Sequence, residues 1–207
     1  MPCYSIITLY RKITMTMKKI HGTVTEQNLL KAFAGESQAR NRYNLFAEVA
    51  KKEGYEQIMS IFAETADQEY AHATRFFKFL DGGMVTITAE YPAGRIGTTT
   101  ENLLEAAEGE KLEWSALYYD FEQTAIDEGL KDVAAAFKKI AEVEAFHEWR
   151  YRRMLQRLEE GTMFVRKEPI AWQCRNCGYI CEDVKPPVVC PACLVERAYF
   201  EPKRNNY

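Results

Sequence analysis

Four stretches of the chain repeat apolar residues at spacings of three and four, the period of a helix with one buried face. The first spans about Thr25 to Glu53 and aligns Leu29, Phe33, Tyr43, Phe46 and Ala50. Thr23 and Glu26 offer a capping box at its start, and Gly54 ends it. The second, about Tyr55 to Asp81, aligns Ile58, Phe62, Thr65, Phe76 and Leu80 and stops at Gly82-Gly83. A second capping pair, Thr98 and Glu101, opens a third helix expected to reach about Glu128, with Leu103, Ala107, Leu117 and Phe121 inward. Gly129 precedes a fourth, which ends near Gly161 and carries Phe137, Ile140, Tyr151 and Leu158. The segment holding Tyr91, Pro92, Gly94 and Gly97 is long enough to cross from one end of a bundle to the other. Two helical hairpins joined by one long crossover predict an all-α four-helix bundle that is not simply up-down-up-down.

Acids interrupt every stripe. Glu36 lies mid-stripe on the first helix, Glu69 and His72 on the second, Glu110 and Glu113 on the third, and Glu144 and His147 on the fourth. Positions three apart share a helix face, so each Glu-x-x-His pair offers a carboxylate and an imidazole together. Buried ionised carboxylates without compensation are costly, and five in one empty core would not be tolerated. A cation is required among them. Hard metal ions meet that need, and two non-haem irons are the expected occupants. The halves are also related, since Glu69 follows Glu36 by 33 residues and Glu144 follows Glu110 by 34, the signature of two equivalent hairpins facing one site. A single Glu-x-x-His is commonly a solvated pair; two copies, with inward glutamates on the other helices, are not. His21 is read as a surface residue, and Glu48, Glu53, Glu64 and Glu159 as solvating acids off the stripes. Tyr43 and Tyr118 face inward, either as core packing or as hydrogen-bond donors to a carboxylate.

The end of the chain changes character. "WQCRNCGY" and "CPACL" set Cys174, Cys177, Cys190 and Cys193 in a C-x2-C-x12-C-x2-C pattern, with Cys3 and Cys181 apart. Without an export signal, paired knuckles point to a metal rather than to disulfides. Four thiolates suit iron or zinc, and spacing does not choose between them. Glu168-Pro169 marks a linker, and Pro186-Pro187 stiffens the loop between knuckles. The expected organisation is an N-terminal extension over 1–19, a bundle over 20–165 and a small metal-stabilised β/loop domain over 166–207. "MPCYSIITLYRKITMTMKK" lacks the long apolar region of a signal peptide, and Met17 is a candidate start.

With 207 residues, 47% of them hydrophobic, the chain can bury one ordinary core and a small module. A net charge of −3 and a pI near 5.8 give no electrostatic footing for nucleic acid or an anionic membrane. No apolar run approaches the roughly 20 residues that span a bilayer. A cytoplasmic location is the default expectation.

Taken together, "FAGESQARNRY", "ETADQEYAHA", "YPAGRIGTTTENL", "GEKLEW", "EVEAFHEWR" and the cysteine tail resemble the rubrerythrin family from about Met17 onward. The resemblance implies a ferritin-like di-iron bundle with a rubredoxin-like domain. It implies Glu69 and Glu144 bridging two irons, Glu36 and Glu110 as terminal ligands, His147 on one iron, and Glu113 and His72 exchanging places on the other as it changes oxidation state. Cys174, Cys177, Cys190 and Cys193 would hold a single iron. The implied activity is a peroxidase of the NADH peroxidase type that protects against oxidative stress. It would reduce hydrogen peroxide to water with electrons relayed from the tail, and ultimately from NAD(P)H through rubredoxin or a reductase. Because electron transfer weakens steeply with distance, a homodimer is expected, each tail serving its neighbour's irons. An iron-oxidising ferritin-like protein would make the tail superfluous, and a zinc-ribbon interaction module would leave the inward ligands unexplained.

Overall fold

The structure, a computed structural model, describes residues 19–205. The expected extension over 1–19 lies outside the described residues except for Lys19, as do Met17 and Cys3. The bundle is built from α1 (Val24–Lys52), α2 (Glu56–Phe77), α3 (Thr99–Leu112), a π-helical segment (Glu113–Leu117), α4 (Tyr118–Asp127) and α5 (Lys131–Glu159). α3, the π segment and α4 follow without a break, so the bundle has four rods.

Local chemistry sets the ends. The Thr23 hydroxyl accepts from Glu26 N at 3.0 Å, but the Glu26 carboxylate returns to Gly22 N at 2.8 Å rather than to Thr23, so the expected box is displaced by one residue. At α3 the box is reciprocal: Thr98 N donates to Glu101 Oε2 at 2.8 Å and Glu101 N to Thr98 Oγ1 at 3.3 Å. The glutamate folds back so closely that a Cβ on Gly97 would sit 2.6 Å from its Oε2. Glu53, read as a solvating acid, accepts from Thr99 N at 3.1 Å and ties the end of α1 to the start of α3. α2 ends at Phe77, four residues short of the expected Asp81. The Asp81 carboxylate is engaged elsewhere, accepting from Ile20 N and His21 N ahead of α1.

Two apolar clusters fill the bundle. Tyr43, Phe46, Phe62, Leu103 and Tyr151 pack in one, and Leu29, Phe76, Tyr118 and Phe137 in the other. The glutamates and histidines of the four rods occupy the layer between them, with Glu36, Glu69, Glu110 and Glu144 at most 1% exposed. One expected core position fails. Leu117 is 38% exposed, because the π segment adds a residue to the turn and shifts the phase of the inward face.

The small domain is a three-stranded antiparallel sheet in the order β2-β1-β3, where β1 is Ile170–Cys174, β2 Ile180–Asp183 and β3 Phe200–Pro202. Trp172, Cys174, Cys190 and Phe200 form its core. It docks at the α1–α2 turn, where a side chain at Gly54 would meet Ala198 at 3.8 Å. Among the described residues, no helix is long and apolar enough to cross a membrane.

Candidate metal centre

The inward acids and imidazoles meet as two overlapping groups, Glu36, Glu69, His72 and Glu144 in one and Glu69, Glu110, Glu144 and His147 in the other. Within each, the ligand atoms lie within 4.8 Å of one another. Glu69 and Glu144 belong to both. Glu69 Oε2 approaches His72 Nδ1 at 3.0 Å and its Oε1 approaches His147 Nδ1 at 3.2 Å; Glu144 Oε1 and Oε2 do the same at 2.9 and 2.7 Å. Each of these carboxylates therefore spans two positions about which the imidazoles are arranged, and the rings lie 6.0 Å apart at 27°. Glu36 flanks the His72 side at 3.9 Å and Glu110 the His147 side at 3.7 Å.

Tyrosines hold the flanking carboxylates, which decides the alternative left open by the sequence. Tyr43 donates to Glu110 Oε1 and Tyr118 to Glu36 Oε1, both at 2.5 Å. Each terminal acid is thus steadied by the opposite hairpin. The pairing also explains the helical defect. Tyr43 follows Glu36 by seven residues, while Tyr118 follows Glu110 by eight, and Gly54 and Gly129 follow the same acids by 18 and 19. The second hairpin carries one extra residue between Glu110 and Tyr118, and the π turn at Glu113–Leu117 absorbs it so that Tyr118 still reaches its partner. The 33-against-34 spacing was the visible trace. Nothing in the helical pattern singled out Gln68, whose Oε1 lies 2.9 Å from His147 Nε2 and orients the ring from behind.

Glu113 is the one predicted ligand of the bundle outside both groups. It is half-buried, at the start of the π segment, and its Oε1 lies 3.9 Å from where a Cβ on Gly35 would sit. Burial, followed by repulsion from Glu110, Glu144 and Glu69, pushes its carboxyl well above the ordinary range.

Six buried atoms in this layer have no hydrogen-bond partner: Glu36 Oε2, Glu69 Oε1, Glu110 Oε2, both Glu144 oxygens and His147 Nδ1. Some are close, yet closeness without hydrogen-bond alignment is what donors aimed at a shared cation display. The oxygen-rich set with one imidazole at each end fits a pair of hard or borderline metal ions such as iron.

Without metal, the layer regulates its charge by holding protons. Burial and the neighbouring Glu69 and Glu144 push Glu36 well above the usual carboxylate range, and burial with Glu69 lifts Glu110 to about 8. Burial alone would raise Glu69, but the adjacent His147 and His72 imidazoles outweigh it and bring this acid to about 2. Burial opposes charge on the imidazoles, yet the carboxylates lift His72 to about 9 and His147 to about 12. The raised acid Glu110 lends stability that is full below its ordinary value and lost as pH climbs to about 8. The raised histidines lose theirs as pH climbs through about 9 and 12. Glu69 acts oppositely, losing its contribution only as pH falls toward 2. The metal-free bundle should therefore unfold at progressively lower temperature from pH 5 to pH 9. Metal binding must expel those protons, so the loaded bundle should gain on the metal-free one across the same window. Thermal melts of both forms check this; parallel curves would contradict it.

The tail thiolates form the third group. Cys174 and Cys193 sulfurs are 3.8 Å apart, and Cys177 and Cys190 sulfurs 3.7 Å. A tetrahedron with metal–sulfur bonds of about 2.3 Å has edges of about 3.8 Å, whereas a disulfide would need about 2.05 Å. Each knuckle closes identically, with Gly178 N donating to Cys174 O at 2.8 Å and Leu194 N to Cys190 O at 2.9 Å. Both closing residues take positive φ, +79° and 62°. Cys181, opposite Trp172 on β2, is not a member of the group.

A buried cluster of glutamates and histidines in a helical bundle, together with a four-thiolate site, defines a non-haem di-iron protein that carries a rubredoxin-like module. The family model for rubrerythrin matches residues 27–155, and that for the rubrerythrin rubredoxin-like domain matches 172–201. Rubrerythrin of Porphyromonas gingivalis is 58% identical over 197 residues, covering 95% of this chain and 98% of its own length. That of Nitratidesulfovibrio vulgaris is 50% identical over 185, covering 89% and 97%. Among solved structures, fully reduced all-ferrous nigerythrin superposes with a TM-score of 0.59 at 25% identity, covering 98% of this chain and all of that one. The chain belongs to the rubrerythrin family, whose members are di-iron oxidoreductases.

Proposed function

We propose that this protein is a peroxidase that reduces hydrogen peroxide to water at the paired site, with electrons relayed from the four-cysteine iron. The observation that carries the reading is that Glu69 and Glu144 each face both His72 and His147, as carboxylates shared by two neighbouring metal ions would, in a layer flanked by apolar clusters. When bound there, the iron pair supplies two electrons and the Lewis acidity that peroxide cleavage requires. Glu36, Glu69, His72, Glu110, Glu144 and His147 would hold it, with Tyr43, Tyr118 and Gln68 fixing their orientation.

Glu113 and His72 carry the catalytic roles. His72 is turned into the site and Glu113 lies outside it, one of the two arrangements implied for a pair that exchanges places. Burial and the neighbouring carboxylates favour the protonated form of Glu113 beside an open cleft, and peroxide reduction consumes two protons, so this group is placed to deliver one to the departing oxygen. Glu113→Ala should slow peroxide turnover at least about tenfold while both bundle irons stay bound, because neither ligand group requires it. Stopped-flow rates and iron analysis check this, and unchanged turnover removes Glu113 from the mechanism.

The electron path favours a homodimer. The tail sits at the α1–α2 turn, and Glu69 begins roughly 20 Å of helix further on. A neighbour's tail approaching the middle of the bundle would shorten that gap. Rubredoxin or an NAD(P)H-dependent reductase would replenish the tail. The proposed setting is the cytoplasm.

A further inference from the structure

A cleft of about 490 Å³ opens beside Glu113, between α1, the π segment and the crossover. Hydrogen peroxide is little larger than water, whose share of liquid volume is about 30 Å³, whereas clefts of about 300–1,000 Å³ hold organic ligands. Its walls include Ala32, Leu112, Leu117, Phe121 and Pro92, and Glu113 sits among them. Leu112 and Leu117 are 55% and 38% exposed, so apolar surface is kept open here rather than packed away.

Two glycines strengthen the case. Gly35 and Gly109 are the glycines inside helices among the described residues, and both line this cleft. A helix-interior glycine costs roughly 0.5–1 kcal/mol relative to alanine, and neither takes the positive φ that would excuse it. What they provide is room. A Cβ on Gly35 would stand 3.6 Å from Tyr91 Cε1 and 3.9 Å from Glu113 Oε1, in the gap between these two walls of the cleft. Tyr91 is itself fixed over the gap by donating to the Lys31 carbonyl at 2.7 Å.

We propose that this cleft binds the organic substituent of an alkyl hydroperoxide, so that the substrate class extends beyond hydrogen peroxide. The inference rests on the peroxidase reading above. An alkyl hydroperoxide takes two electrons and two protons, its O–O bond breaks while its C–O bond stays, and one alcohol and one water leave. Bound iron would supply the two electrons and solvent the two protons. The apolar walls hold the alkyl group and direct the peroxide end inward past Gly35.

The test mixes the reduced, iron-loaded protein without oxygen with cumene hydroperoxide or with hydrogen peroxide. It records reoxidation of the tail iron, the yield of cumyl alcohol, and calorimetric binding of cumyl alcohol to the oxidised holoprotein. Expected are one alcohol per two electrons, measurable alcohol binding, and at least about a tenfold fall in the cumene-to-hydrogen-peroxide rate ratio for Gly35→Val, with weaker alcohol binding. Ala89→Phe, on the exposed crossover rim of the cleft, should lower the same ratio if Gly35→Val does not fold. Reaction with hydrogen peroxide but neither reaction with cumene hydroperoxide nor alcohol binding overturns this inference alone. An unchanged ratio in folded variants overturns it too. Failure with hydrogen peroxide itself contradicts the peroxidase reading, and absence of alcohol binding in that case overturns the cleft assignment independently.

Discussion

Glu144→Ala is expected to leave the bundle without its iron pair and to abolish peroxide turnover, while the tail keeps its iron. Glu144 is fully buried and offers one oxygen to each half of the site, 2.9 Å from His72 and 2.7 Å from His147, so its loss opens both metal positions at once. Losing an outer hydrogen-bond partner of a ligand costs about 10–100-fold in affinity or activity, and losing a ligand shared by two ions should exceed that. The same change removes a buried charge from the metal-free protein, so folding should survive. Iron analysis with circular dichroism separates the outcomes: a folded bundle retaining two irons would show that the shared carboxylate is not a ligand.

Cys193→Ser should be comparably severe by another route. Among the described residues, the hydrophobic cluster buried in the small domain is just Trp172, Cys174, Cys190 and Phe200, and domains near about 40 residues commonly need a metal to fold. Loss of one thiolate should release the tail iron and unfold the sheet, leaving a bundle that binds iron but receives no electrons from the reductase. Neither variant should turn over alone. If each tail serves its neighbour, co-expressed Glu144→Ala and Cys193→Ser chains should regain activity, because a mixed dimer joins an intact bundle to an intact tail. A silent mixture of verified heterodimers would refute the dimer path.

Much of this arrangement was legible because its residues violate local expectation. Glu36, Glu69, Glu110 and Glu144 sit where the helical period demands apolar side chains, and burying them together calls for a shared cation or bound protons. The knuckles were legible for the opposite reason, since Gly178 and the C-x2-C spacing suffice locally. Periodicity cannot show a change of period. The third helix read as one element because its stripe continues past Glu113, and Leu117 was misplaced in the core. The extra residue showed only in comparing one hairpin with the other. Contacts across helices were also hidden: nothing near Tyr43 in sequence points to Glu110, 67 residues away. Glu53 looked like surface because its partner, the first amide of α3, lies beyond the crossover. Glu113 shares a helix face with Glu110, yet the π turn starts at Glu113 and its carboxylate faces the cleft.

The central claim is that peroxide at the paired site draws electrons from the four-cysteine iron. The most direct measurement loads the protein with iron without oxygen, reduces it fully, adds one equivalent of hydrogen peroxide and follows the red ferric-thiolate absorption of the tail. Rapid return of that colour, faster than with dioxygen, is the predicted result. A tail that stays colourless, or that reoxidises no faster with peroxide than with dioxygen, would contradict the account and favour an iron-oxidising role for the bundle.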